Sequence, residues 1–170
     1  MLKGGYESYL AFVTARQPAL IRAATLVSGD PELAQDLVQD ALVKLALSWE
    51  KVRDGYPEAY VRRILYRDAI SWRRRFRRER LGVVVDLPLP DPTDAADARL
   101  ALRAALSRLT TKQRAVLVLR FYEDLSEHQT ADLLGVGIGT VKSQTHAALS
   151  RLRLHAPELN ALLTPGVTSD

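Results

Sequence analysis

Leu125-Ser-Glu-His-Gln-Thr-Ala-Asp-Leu-Leu-Gly-Val-Gly-Ile-Gly-Thr-Val-Lys-Ser-Gln-Thr-His-Ala-Ala-Leu149 reads as two short helices joined by a glycine-bounded turn. Ser126 suits an N-cap, Gln129 three residues later completes a capping box, and Ala131, Leu133 and Leu134 supply small and apolar packing positions. Gly135 suits the left-handed residue that ends a helix, and Val136 is expected to pack between the two helices. Thr140, Val141, Lys142 and Ser143 open the second helix, which runs on through Leu149 and Leu152. A helix-turn-helix of this kind lays its second helix in a DNA major groove, where residues near its N-terminus face base edges and phosphates. Those residues are Thr140, Lys142, Ser143, Gln144 and His146. Gln144 can pair with an adenine edge, Lys142 with guanine or a phosphate, and Thr140 with a phosphate or a thymine methyl. A hairpin that merely packs is the alternative reading. Cap, turn glycine, apolar valine and polar face occurring together favour DNA.

A chain of 170 residues with 47% hydrophobic content can build one medium domain or two small ones. Its 24 Lys and Arg against 20 acidic residues leave a formal net charge of +4, so a polyanion site must come from the distribution of charge and not from its sum. The absence of cysteine excludes disulfides, thiol catalysis and cysteine-ligated zinc. No uninterrupted apolar run is long enough to span a bilayer, and the chain is expected to be soluble and cytoplasmic.

The periodicity predicts four helical segments before residue 81. The first two, about 4–16 and 18–27, are expected to part at Gln17-Pro18, since proline suits a helix's first turn. The third starts at Asp30-Pro31, an N-cap followed by proline, and carries Leu33, Leu37, Ala41, Leu45 and Trp49 on one stripe. After the Asp54-Gly55 turn signal, a fourth runs from Pro57 to about residue 78. Tyr60, Ile64, Leu65, Trp72 and Phe76 form its apolar side, and Arg63, Arg67, Arg74 and Arg78 fall on one basic stripe. Val83-Val-Val-Asp-Leu-Pro-Leu-Pro-Asp-Pro92 cannot continue a helix. Helical periodicity then returns through Leu100, Leu102, Ala105, Leu106 and Leu109, and from Thr110-Thr111 through Phe121 into the helix-turn-helix. The expectation is an all-α chain of two small helical domains, 1–80 and 98–156, joined by an extended Pro- and Asp-rich linker at 81–97 and ending in a tail at 157–170.

Four motifs in this order closely resemble the two-domain sigma factors of bacterial RNA polymerase, specifically the extracytoplasmic-function (ECF) group. They are Asp36-Leu-Val-Gln-Asp-Ala-Leu-Val-Lys-Leu45, Ala59-Tyr-Val-Arg-Arg-Ile-Leu-Tyr-Arg-Asp-Ala-Ile-Ser-Trp-Arg-Arg74, Leu109-Thr-Thr-Lys-Gln-Arg-Ala-Val-Leu-Val-Leu-Arg-Phe121 and Gly139-Thr-Val-Lys-Ser143. The resemblance implies that the first domain grips the clamp coiled coil of the polymerase β′ subunit and opens the minus-ten element. The second would read the minus-thirty-five element beside the β flap, and the linker would thread toward the catalytic cleft. Asp36, Gln39 and Asp40 match the family's clamp-facing signature, with Asp40 standing where glutamate is commoner. Tyr56, Tyr60, Arg62, Arg63 and Arg67, continued along the helix by Arg74 and Arg78, become the candidates for the flipped base and melted non-template strand. Gly137 stands where many relatives have serine or proline, and Gln144 where arginine is frequent. An anti-sigma factor is a possible further partner; no cofactor, metal or catalytic residue is implied.

Chemistry supports parts of this reading independently. Glu32, Asp36 and Asp40 recur at four-residue spacing opposite the leucine stripe, a face that suits either a protein contact or plain solvation. Arginines neutralise phosphates and release counterions, while aromatic side chains give unpaired bases a stacking surface. Trp72 is read as core ahead of DNA. The glycines at 135–139 lack the Lys-Ser/Thr ending of a P-loop, so strand opening must draw on binding energy. Two alternatives compete: a stand-alone dimeric helix-turn-helix regulator, and a nuclease using Glu32, Asp36 and Asp40 on a metal. His128, His146 and His155 are scattered and form no acid-base or metal constellation.

Overall fold

Asp30 sets the frame of the N-terminal half. Its carboxylate accepts hydrogen bonds from the backbone N–H groups of Glu32 and Leu33 at 3.0 and 3.1 Å, and Pro31 follows it in the first helical turn, so the helix start is capped as the sequence predicts. A computed structural model of the chain describes residues 3–76 and 103–155, with side chains for 4–72 and 103–155. The linker at 81–97, the tail at 157–170, Arg78 and the side chain of Arg74 lie outside the described residues. The elements are α1 (Lys3–Ser28), α2 (Pro31–Val52), α3 (Pro57–Phe76), a helical turn at 103–107, α4 (Thr111–Leu117) running into a π-helical turn (Val118–Tyr122), α5 (Glu127–Leu134) and α6 (Ile138–His155). No strand occurs among the described residues.

The helical hairpin of α1 and α2 turns at Gly29, whose φ of 75° is open to glycine at little cost. The expected break at Gln17-Pro18 is absent: α1 runs unbroken with Pro18 inside it. Proline forfeits one backbone hydrogen bond there. Packing outweighs that loss, because Tyr9, Phe12 and Val13 before the proline and Leu20, Ala23, Ala24 and Val27 after it all meet the same core. The α2 stripe buries Leu33, Leu37, Ala41, Leu45 and Trp49 as predicted. Trp49 is held edge-on by Tyr9, with ring centroids 5.4 Å apart, and donates its indole N–H to the Ser8 hydroxyl at 3.0 Å. Trp72 and Ile64 pack against this core, as read from the sequence.

In the C-terminal half both capping boxes are closed. Thr110 and Gln113 satisfy each other's backbone N–H groups, as do Ser126 and Gln129. Gly135 ends α5 at φ 67°, the left-handed position expected of it. Val141, fully buried with Val116 and Ala131, supplies the apolar lock between α5 and α6. Val136, expected in that role, is 40% exposed because the left-handed turn at Gly135 carries it outward. Phe121 is also exposed, since the π turn inserts extra backbone before Glu123 and swings it off the apolar stripe.

The two halves are not held apart. Ala115, Val118, Leu119 and Leu133 of the C-terminal half lie in one continuous core with the residues of α1, α2 and α3. Arg114 reinforces the junction. Its buried guanidinium donates to the carbonyls of Val27 at 2.7 Å and Ser28 at 3.4 Å, capping the C-terminal end of α1.

Candidate nucleic-acid interface

The second helix of the helix-turn-helix, α6, starts at Ile138, with the Gly137 carbonyl accepting from the N–H groups of Thr140 at 2.9 Å and Val141 at 3.2 Å. Thr140, Lys142, Ser143 and His146 stand exposed on one side of it, and Gln144 is half-buried beside them. Val141 and Ala148 on the opposite side are fully buried, which fixes the rotation of the helix and turns the polar side outward. Ser143 donates to the Thr140 carbonyl at 3.0 Å, while Lys142 lies 3.7 Å from the Glu127 carboxylate. That exposed pairing was not visible in the sequence, and it aims the ammonium group without neutralising a buried charge.

On α2, Asp36, Gln39 and Asp40 are all exposed. Val43 and Leu47 continue the same face, with Leu47 83% exposed, so an apolar strip extends the acidic one. Lys44, which shares the four-residue spacing, turns instead to Asp68 of α3 at 2.6 Å. Glu32, Asp36 and Asp40 do not converge: among the described residues no three His, Asp or Glu side chains are assembled to hold a metal ion.

The strand-binding candidates separate into distinct environments. Tyr56 is 86% exposed at the turn before α3 and borders an open recess of about 450 Å³, together with Phe12, Arg16, Gly55, Pro57, Glu58, Ala59 and Arg62. Glu58 orders two of the guanidinium groups, meeting Arg16 at 3.1 Å and Arg62 at 2.9 Å. Phe12 and Arg16 escaped the sequence reading, because nothing local shows that α1 passes beside the 53–56 turn. Tyr60 is half-buried, its phenol 3.0 Å from the Ser48 hydroxyl, and it packs against the core instead of offering a free face. Arg63 is exposed.

Arg62 and Arg67 face the C-terminal half. Arg62 donates to the Glu123 carboxylate at 2.5 Å, and Tyr66, buried beneath it, donates to the other oxygen of Glu123 at 3.3 Å. Burial is the main reason that the Tyr66 phenol is held well above its ordinary pKa of 10.0, and the Glu123 charge adds to it. The Arg67 guanidinium lies against the turn of the helix-turn-helix, so close that a methyl group on Gly135 would stand 2.3 Å from its terminal nitrogen. The positive φ is what calls for glycine here, since the exposed end of the Arg67 side chain can move aside. The polar side of α6 thus stands free, while on α3 Arg62 is held against the C-terminal half and Arg63 and Arg67 remain exposed.

Sequence comparison decides the family. The model for Sigma-70 region 2 matches residues 12–79 and that for Sigma-70 region 4 matches residues 99–152. The chain is 39% identical over 155 residues to the RNA polymerase sigma-E factor of Streptomyces coelicolor, covering 88% of each chain. The chain belongs to the ECF sigma factors of bacterial RNA polymerase. Within that family it is also 34% identical to the ECF sigma factor SigL of Mycobacterium tuberculosis, covering 82% of this chain and 84% of that one. Among solved structures it is similar to the Bartonella quintana sigma factor RpoE in complex with the anti-sigma factor NepR, with a TM-score of 0.65 and 26% identity over 88% of this chain and 96% of that one. It is likewise similar to CnrH in complex with the cytosolic domain of CnrY, with a TM-score of 0.55 and 26% identity over 90% and 88%. The region 2 match takes in α2, α3 and the recess, and the region 4 match takes in the helix-turn-helix. Membership in this family favours a sigma factor over a stand-alone dimeric regulator. No described helix is long and apolar enough to cross a membrane.

Proposed function

We propose that this sigma factor binds core RNA polymerase in the cytoplasm, brings it to promoters and opens the minus-ten element through side chains on three surfaces. Asp36, Gln39 and Asp40 on α2 meet the clamp of the β′ subunit, with Val43 and Leu47 adding apolar contact along the same strip. Thr140, Lys142, Ser143, Gln144 and His146 on α6 read duplex DNA at the minus-thirty-five element beside the β subunit. Tyr56 and the arginines of α3, with Arg63 foremost, hold the melted non-template strand. None of these steps needs a covalent reaction by the chain. An anti-sigma factor is a further partner for the same surfaces.

The carrying observation is the recess at Tyr56. A nearly free aromatic ring stands beside guanidinium groups that Glu58 holds in place, which joins a stacking surface to a phosphate-binding one. Stacking on an aromatic side chain contributes about 1–3 kcal/mol per base and accepts any base. An extruded base costs a few kcal/mol to unstack, so one ring and a short basic track are of the right order to hold it. Tyr60, packed against the core and bonded to Ser48, does not add to this stacking surface.

The test is permanganate reactivity of promoter thymines in complexes with core polymerase. Tyr56→Ala combined with Arg63→Ala is expected to abolish reactivity in the minus-ten element while the footprint over the minus-thirty-five element persists. Unchanged reactivity would remove Tyr56 and Arg63 from the strand-binding role.

A further inference from the structure

The charges of the C-terminal half are sorted by position. Among the described residues 103–155, the carboxylates Glu123, Asp124, Glu127 and Asp132 all fall between 123 and 132, and the flanking segments 103–122 and 138–155 hold Lys and Arg but no acid. Arg114 and Arg120 of the first segment are engaged inside the fold, on the carbonyls of Val27 and Leu125. Arg108, Lys112 and Arg153 stand exposed.

Packing gathers these three at one end of the bundle. Leu109 shares a buried cluster with Ala148 and Leu152, which brings the turn bearing Arg108 to the last turns of α6. Arg151 donates to the Gln113 side-chain oxygen at 3.2 Å, tying the same stretch of α6 to the start of α4, where Lys112 stands. Arg153 follows Lys142 by about three helical turns, so the two point to the same side of α6, roughly 16 Å apart along its axis.

Length decides what that end can meet. The 18 residues of α6 make a rod of about 27 Å, whereas the major groove is about 12 Å wide. Thr140 to His146 take up roughly 9 Å of it and so fill most of the groove. The turns that carry Arg153 must emerge beyond the bases, over the sugar-phosphate backbone. We propose that Arg108, Lys112 and Arg153 form a second, sequence-independent site on the C-terminal half, which binds duplex phosphates flanking the element that α6 reads. This deepens the duplex-reading role of α6 and rests on it. The patch continues the polar side of α6 without an intervening carboxylate, which favours a polyanion along the same duplex over a separate acidic protein. Guanidinium and ammonium groups there release counterions from the backbone and hold the register of the helix in the groove, while specifying no base.

The test removes charge from either partner of the contact. The full-length chain is titrated with one duplex, selected by it from a random pool, and with the same duplex whose flanking phosphates, within about one helical turn on each side, are neutral methylphosphonates. Neutral flanks should weaken the parent at least tenfold. Arg108→Ala with Lys112→Ala and Arg153→Ala should weaken binding to the charged duplex to the same extent, lower the slope of log affinity against log salt by about 2.7 for three contacts, and show no further loss on neutral flanks. Arg108→Lys with Arg153→Lys, which keeps the charge, should retain most of the affinity and the slope. Equal sensitivity of parent and triple variant to neutral flanks, or an unchanged slope in the triple variant, would overturn the site. So would a triple variant that binds both duplexes as the parent does but associates more weakly with core polymerase, since the patch would then face protein. Lys142→Ala separates this failure from that of the underlying reading: if α6 reads duplex and only the flank site is wrong, Lys142→Ala still weakens binding, whereas if α6 does not read duplex it has no effect.

Discussion

Arg114→Met isolates what joins the two halves. Arg114 is only 4% exposed, and its guanidinium donates to Val27 O at 2.7 Å, Leu106 O at 3.3 Å, Ser28 O at 3.4 Å and Thr111 Oγ1 at 3.5 Å. Methionine keeps most of the side chain's length and packing but donates nothing. Only the bond to Val27 is short; a hydrogen bond involving a charged group contributes about 1.5–3 kcal/mol, and the three longer ones add little. Relief from burying the guanidinium offsets part of the loss, whereas the stranded carbonyls at the end of α1 increase it. The expected net cost is about 2–3 kcal/mol. Urea unfolding measures it directly, and at roughly 2–4 °C per kcal/mol for a chain of this size the midpoint temperature should fall by about 5–10 °C. Hydrogen exchange supplies the decisive detail. If Arg114 couples the halves, amides in the last turns of α1 and in α4 should both exchange faster in the variant. A cost below about 0.5 kcal/mol, typical of a surface position, would refute the reasoning. So would acceleration confined to α4.

Asp36→Lys with Asp40→Lys should weaken association with core polymerase at least tenfold while leaving the thermal midpoint within a degree or two, because both side chains are exposed; titration of labelled protein with core enzyme checks it, and unchanged affinity returns this face to solvent. Lys142→Ala should weaken minus-thirty-five duplex binding similarly across sequences and reduce the slope of log affinity against log salt by about 0.9, the contribution of one phosphate contact; a sequence-dependent loss would move Lys142 onto a base edge. Tyr66 has a folded pKa raised above 10.0, so its contribution to the stability of the folded chain is complete below that value and is lost as pH rises through the folded pKa. Its tyrosinate absorbance should therefore appear only with unfolding, at a pH above 10.0; a Tyr66→Phe difference spectrum that titrates at the ordinary tyrosine value would contradict its burial under Glu123.

The sequence was most legible where structure is local. Asp30-Pro31, the Ser126 and Gln129 box and the Gly135 turn each carry their own chemistry within a few residues, and each stands where it was expected. The polar side of α6 followed from the same local pattern, since burying Val141 and Ala148 fixes which way Thr140 and Lys142 face. What escaped is non-local. Arg62 and Glu123 are separated by 61 residues and Arg114 and Ser28 by 86, and no periodicity announces such pairs. Pro18 reads as a break because local propensity opposes a helix there, and only the shared core on both sides of it reverses the outcome. The π turn is invisible for a related reason: Val118 to Tyr122 looks like continued α-helix, and its extra residue is what turns Phe121 to solvent and Glu123 to α3.

The joining of halves also changes how the proposed strand-binding residues are understood. Among the described candidates, Arg62 is bonded to Glu123 of the C-terminal half and Arg67, itself exposed, lies beside the Gly135 turn, whereas Arg63 and Tyr56 face solvent. Variants at Arg62 should alter the contact between the halves as well as strand binding, so their effects will not be additive with changes at Glu123. Variants at Arg63 and Tyr56 should act on the strand alone.

Run-off transcription by core RNA polymerase tests the central claim most directly. With this chain added, core enzyme should initiate at specific promoters that it ignores alone, and Tyr56→Ala with Arg63→Ala should remove initiation from duplex templates while sparing a template whose minus-ten region is already unpaired. Core enzyme that initiates no differently with the chain present would contradict the account.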